Sequence, residues 1–270
     1  MIKHKHLAIY AVLFLLLGFS GRTTASSRIP QPLIPVLAYH SVMPHEFYYP
    51  ANVSNPWVLS EEVFYAQMRY LYEHNFTTIT AVQLINFLYH EGDLPYNPIL
   101  ITFDDGYLDN YLFAAPIMRQ FGFTGIVFLI TSDIPYATPD MTAKPIKYMS
   151  MAEITAAADV FEYGSHTHVL HEKIDGRPQL TFESIENIRA DIERSFAAPI
   201  AFVPAFAYPF GRHSPNAVQA LERAEVEIAF TTNWGYVRHN ANPFLLPRFS
   251  ITSEWTLDMF SNTVHGRWRR

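Results

Sequence analysis

A chain of 270 residues, 49% hydrophobic and 16% charged, can bury a sizeable core and is not a largely disordered protein. Its formal net charge of −6 leaves no electrostatic footprint for nucleic acid, which is excluded as a partner. There is no cysteine, so disulfides, thiolate metal sites and a lipid-modified cysteine anchor are excluded too, and any metal must sit on histidine and carboxylate ligands.

Lys3 and Lys5 precede the apolar run Leu7 to Phe19, and the stretch from Ser20 to Ser27 is small and polar. That order is the order of a secretory signal peptide over residues 1–26, with Thr23-Thr24-Ala25 as an imperfect cleavage site. An uncleaved N-terminal anchor is the alternative, although the run is short for a spanning helix. Both place the folded domain outside the cytoplasm, secreted or at the cell surface. Residues 27–32 read as a linker, 33–262 as one catalytic domain and 263–270 as a basic tail. Nothing in the chain asks for a second copy, so a monomer is expected.

From Leu33 to Tyr39 the pattern predicts a strand. Ser60 caps a helix with Phe64, Met68 and Leu71 on one face and Glu61 and Glu62 at its positive end. Phe76 to Ile79 is a short strand, and Thr80 with Gln83 forms a capping box for a helix reaching Gly92. Pro98 to Phe103 is a strongly apolar strand, followed by a helix through Met118 and a strand from Gly125 to Ile130. Pro135 to Tyr148 is the expected long loop. Ser150 with Glu153 makes a second capping box, Val160 to Tyr163 a strand, Phe182 to Phe196 a helix, and Pro204 to Tyr208 a strand. Ser214-Pro215 opens another helix. Val226 to Thr231 and Leu245 to Thr252 close the series. Strands alternating with helices imply an α/β protein with a parallel sheet, in number enough for a closed or nearly closed (β/α) barrel.

Two clusters carry chemistry. The strand ending at Phe103 runs into Asp104-Asp105-Gly106, and catalytic groups of α/β barrels sit at the carboxyl ends of strands. The second cluster, His166, His168 and His171, also lies just beyond a predicted strand. Three histidines in six residues are poor core filling, because each buried imidazole needs a polar partner. One carboxylate with two histidines at one barrel mouth makes a divalent-metal site with positions left open.

These motifs resemble the first two motifs of the polysaccharide deacetylases called carbohydrate esterase family 4, which share the NodB-homology fold. The family's ligand histidines are usually four apart; here Leu170 holds that place and His171 falls five after His166. That spacing is similar to the poly-β-1,6-N-acetylglucosamine deacetylases of biofilm matrix synthesis. The resemblance covers roughly residues 33–262. It implies a single barrel, distorted or incomplete, with permuted motif order. It also implies Asp105, His166 and His171 as ligands of one divalent ion (zinc favoured, cobalt or nickel the alternatives) and Asp104 as general base. His168 matches no ligand position and is left as a supporting residue or a substrate contact.

The family's acid motif, Leu-x-x-His, normally lies near the C-terminus. Here Leu37-Ala38-Tyr39-His40 stands at the end of the first strand, which makes His40 the candidate acid. The third motif survives as Ala207-Tyr208-Pro209-Phe210-Gly211, with Ala where the family has Arg. By resemblance the Phe210 amide meets an oxyanion, with Tyr208 and Trp234 at the substrate. The missing arginine leaves Asp104 without its usual orienter, and Arg248 is the candidate replacement, with Arg212 also close in sequence. The expected reaction is deacetylation of N-acetylglucosamine units in an extracellular polysaccharide. Peptidoglycan or chitooligosaccharide is the alternative substrate, and a decayed sugar-binding module the alternative class.

Overall fold

A computed structural model describes residues 32–47, 55–90, 92–140 and 147–267. The chain enters through β1 (Val36–Tyr39), β2 (Ser41–Met43) and β3 (Val58–Ser60), which passes directly into α1 (Glu61–Glu73). The Ser60 hydroxyl accepts from Val63 N at 3.2 Å, so the predicted cap forms. After β4 (Thr77–Thr78), Thr80 and Gln83 cap α2 (Ala81–His90) reciprocally at 2.9 and 3.1 Å. The strand β5 (Pro98–Phe103) has the bounds expected of it.

The helix expected after β5 begins as a widened turn, Asn110–Ala114, before α3 (Ala115–Phe121). Pro116 has no amide to donate, and its ring crowds the carbonyl one turn back, so the preceding turn opens. Then come β6 (Gly125–Leu129), α4 (Met151–Ala156) behind its Ser150–Glu153 capping box, and β7 (Phe161–Ser165). The loop expected over 135–148 has no helix or strand among its described residues. A small hairpin, β8 (Lys173–Ile174) and β9 (Arg177–Pro178), leads into α5 (Ile185–Phe196). The rest is β10 (Phe202–Ala207), α6 (Pro215–Arg223), β11 (Ile228–Phe230), β12 (Phe249–Ser250) and α7 (Leu257–Val264). Thr263 and Val264 are buried in α7, so folded structure continues past residue 262 into the stretch expected to be tail.

The main sheet runs β11-β10-β7-β6-β5-β1-β12, with every pairing parallel and β4 added on β5. Its two edges are joined by one segment: Leu246 bridges Phe230 at the end of β11, and three residues on β12 pairs with β1. The result is a curled, distorted (β/α) barrel. Successive strand residues point into different apolar clusters, as with Ile99, Ile101 and Phe103 on one side of β5 and Leu100 on the other. A Cβ on Gly164 would stand 2.5 Å from Phe128 and 2.9 Å from the Ala205 carbonyl, so glycine here lets β6, β7 and β10 close up. Residues 1–31, with the expected signal or anchor and nearly all of the linker, lie outside the described residues. Among the described residues no helix is long and apolar enough to cross a membrane.

Candidate active site

The carboxyl ends of the strands open on a cavity of about 740 Å³. His40 follows β1, Asp104 and Asp105 follow β5, His166 follows β7, Phe210 follows β10, and all of them line it together with His171 and Trp234.

The local backbone explains how adjacent carboxylates diverge. Asp105 has φ 71° and Gly106 φ 80°, and a Cβ on Gly106 would stand 2.6 Å from Leu129. The strand therefore ends in a sharp left-handed turn that sends the two side chains apart. Thr167 (φ 80°) and Phe210 (φ 57°) are left-handed as well, so three loops at this mouth each hold a non-glycine residue in an unfavourable region. The histidine loop is fastened from α5, where Asp191 accepts from the amides of His168 and Val169 at 2.8 Å each.

Asp104 is paired across the barrel. Arg248 donates from Nη1 to Oδ1 at 2.7 Å and from Nη2 to Oδ2 at 2.8 Å, and also reaches Thr231 O and Thr102 Oγ1. Burial by itself would raise the Asp104 carboxyl, but Arg248, His166 and His40 together hold it well below the usual carboxylate range. Asp104 is thus an ionised, oriented acceptor.

Beside it, His171 Nε2 lies 3.1 Å from His166 Nε2, and Asp105 Oδ1 lies 3.5 and 3.4 Å from His166 and His171. His166 Nδ1 faces the Ala207 carbonyl at 2.7 Å. A carbonyl only accepts, so that nitrogen carries the proton and Nε2 turns a lone pair toward the cluster. Burial, then His171, push His166 down to about 4, which keeps it neutral. Two imidazole nitrogens and a carboxylate oxygen, all within 4.8 Å of one another, fit a divalent metal ion. The Tyr107 hydroxyl beside this cluster is driven well above the usual range, by burial first and Asp105 second.

The family model for polysaccharide deacetylase matches residues 91–229. The chain belongs to the polysaccharide deacetylase family. It is accordingly a hydrolase of the amide bond of N-acetyl groups. The poly-β-1,6-N-acetyl-D-glucosamine N-deacetylase of Staphylococcus epidermidis is 23% identical over 201 residues, 73% of this chain and 68% of that protein. The Streptococcus pyogenes deacetylase PplD, solved with acetate, superposes with TM-score 0.74 at 19% identity, covering 87% of this chain and 99% of that one. IcaB from Ammonifex degensii superposes with TM-score 0.72 at 22% identity, over 87% and 97%. The matched stretch contains Asp104, Asp105, His166, His171 and Phe210 but neither His40 nor Arg248.

The deacetylase brings most of the sequence candidates to one cavity and leaves Tyr208 and His168 outside its lining. Tyr208 is fully buried among Phe206 and the α5–α6 cluster, not at the cavity, because strand alternation turns it away from the mouth. His168 bonds Thr131 Oγ1 at 2.9 Å and supports the loop without lining the cavity. Of the two arginines, Arg248 makes the clamp, and Arg212 is exposed outside the cavity. Sequence reasoning missed Trp57, whose ring lies 4.7 Å from that of His40, and Trp255, which packs on Trp234 at 5.6 Å. It also missed Asp109, which accepts from Ser41 Oγ at 2.6 Å and Val42 N at 3.2 Å and so pins the chain just after His40. Nothing local marks these residues, because the loop that carries Trp57 meets the mouth only in the folded chain.

Two outcomes are expected. Arg248→Met leaves Asp104 buried without its counter-charge and should cost about 3–5 kcal/mol in urea unfolding at neutral pH. Because Asp104 is held low in the folded state, the pair's stabilisation is present above the ordinary carboxylate range and fades as pH falls through it, so the two proteins should converge in acid. Asp109 behaves oppositely: burial pushes it up to about 7, against about 3.9 unfolded. The native state then binds the extra proton, and stability should fall as pH rises from about 4 to about 7. Asp109→Asn should remove that component of the slope, and urea midpoints with the same slope as the parent would contradict it.

Proposed function

We propose that this protein is a divalent-metal-dependent N-deacetylase of an N-acetylglucosamine polymer, working outside the cytoplasm, with a poly-β-1,6-linked chain as favoured substrate. The observation that carries the reading is the Asp105–His166–His171 cluster set beside an ionised Asp104. Those three side chains would hold a divalent ion, which would supply Lewis acidity to the acetamide carbonyl and ease deprotonation of water. Asp104, kept ionised and fixed in plane by Arg248, accepts the water proton. His40 delivers a proton to the departing amine, without which the amide does not cleave. The Phe210 amide receives the developing oxyanion, and Trp57, Trp234 and Trp255 wall the sugar. The favoured polymer is supported by the relatives named for it and by the five-residue histidine spacing. The run Leu7 to Phe19 behind two lysines supports export.

Chelation should abolish acetate release from N-acetylglucosamine oligomers, and zinc or cobalt should restore it. His166→Ala and His171→Ala should each lose metal, whereas His168→Ala should retain it. Full activity after verified metal removal would end the proposal. His40→Ala should keep its metal yet lose about 10²–10⁴-fold in turnover on the amide. An activated acetate ester, whose leaving group needs little protonation, should lose far less. Equal losses on both substrates would remove His40 from the mechanism.

A further inference from the structure

The wall of the catalytic cavity does not stop at Gly211. That residue also borders a second depression of about 310 Å³, completed by Arg177, Arg212, His213, Thr181 and Asn233, with no carboxylate in its lining. The two cavities are joined by four consecutive residues: Phe210 and Gly211 face the first, Gly211, Arg212 and His213 the second. The hairpin supplies the other side. Lys173 on β8 lies 4.3 Å above the Phe210 ring at the catalytic cavity, and Arg177 on β9, paired in register with Ile174, faces the second depression.

Both arginines stand exposed without an ion pair among the described residues, in a protein whose net charge is −6. Arg177 is steadied by the Phe182 ring, 5.1 Å from its guanidinium carbon. The nearest acid of that hairpin, Asp175, sits at the turn and is not part of the lining. A neutral sugar would be met by aromatic faces, such as Trp57, Trp234 and Trp255 present in the first cavity. Two guanidinium forks instead match the paired oxygens of a carboxylate or phosphate.

We propose that this depression is a subsite for an anionic substituent, a carboxylate or a phosphate, on a sugar neighbouring the one deacetylated. The inference rests on the deacetylase reading above and adds charge to it: the acetylated chain carries acidic groups, whatever its linkage. A corollary concerns the product. Each deacetylated glucosamine is a cation, which this subsite repels, so the enzyme does not place a finished sugar there.

The test uses the full chain and three length-matched N-acetylglucosamine oligomers: neutral, carboxylate-bearing and phosphate-bearing. KM on one charged oligomer should be about tenfold below that on the neutral one, the scale expected of two partly exposed ion pairs. The double variant Arg177→Gln/Arg212→Gln should erase that preference while kcat and the neutral KM stay unchanged. Which charged oligomer is preferred separates carboxylate from phosphate. Equal KM values on all three, or an equal rise on neutral and charged oligomers in the variant, overturns the subsite. Calorimetric binding of the same oligomers gives a readout independent of turnover. Charged-oligomer binding that the variant loses, with no acetate released from any of the three, would keep the subsite and retire the proposed substrate instead.

Discussion

A carboxylate cut off from water has to be paired, and Asp104 finds its partner 144 residues away in Arg248. Neither side chain has appreciable access to solvent. Left alone, either charge would carry a desolvation penalty larger than most single interactions in a domain of this size. Arg248 can reach Asp104 only because the segment that holds it closes the barrel, with Leu246 against β11 and Phe249 against β1. Closure of the sheet and ionisation of the candidate base are therefore one requirement. A chain that failed to close would strand Asp104 or protonate it, and in either case lose the group that the chemistry needs.

That pairing also separates the work of two adjacent acids. Asp104 continues the direction of β5 toward Arg248, while the left-handed turn at Asp105 swings its carboxylate to His166 and His171. Side by side on an extended strand the two would face opposite ways, and in an ordinary turn they would repel each other at short range. The left-handed backbone at Asp105 and Gly106 resolves this at an energetic cost. The same device recurs at Thr167 and Phe210.

What could be read from the sequence was whatever has a local cause. Capping boxes at Thr80–Gln83 and Ser150–Glu153 and the apolar run Pro98–Phe103 each need only a few neighbouring residues, and each formed where it was expected. The Asp105–His166–His171 cluster was legible because both its pieces follow strands. Arg248 was the favoured of two candidates, but its pairing with Asp104 had no local signal, since Arg212 lies nearer the third motif and only barrel closure brings Arg248 to the carboxylate. Tyr208 misled for a related reason. In β10 the small residues Ala205 and Ala207 face the interior while Phe206 and then Tyr208 pack under α5 and α6, so membership of a motif did not mean facing the cavity. The short strands β2, β3, β8 and β9 and the helix α7 had signals too brief to separate from loop.

Register accounts for the position of His40. Tyr39 stands opposite Phe103 in the β1–β5 ladder, and the amide of Asp104 donates to the Tyr39 carbonyl at 2.9 Å. The residue after Tyr39 must then emerge abreast of Asp104, whatever number the chain assigns it. On its other side β1 pairs with β12, which begins directly after Arg248, so candidate acid and base leave neighbouring strand ends while the clamp reaches them from the start of the next strand. Their order around the ring is fixed by hydrogen bonds, whereas their order along the chain depends only on where the ring is cut. An acid on the first strand and an acid on the last strand of such a ring reach the same point in space. A motif order permuted in this way is a difference in connectivity alone, and Asp109, by pinning Ser41 and Val42, fixes the stretch that follows His40.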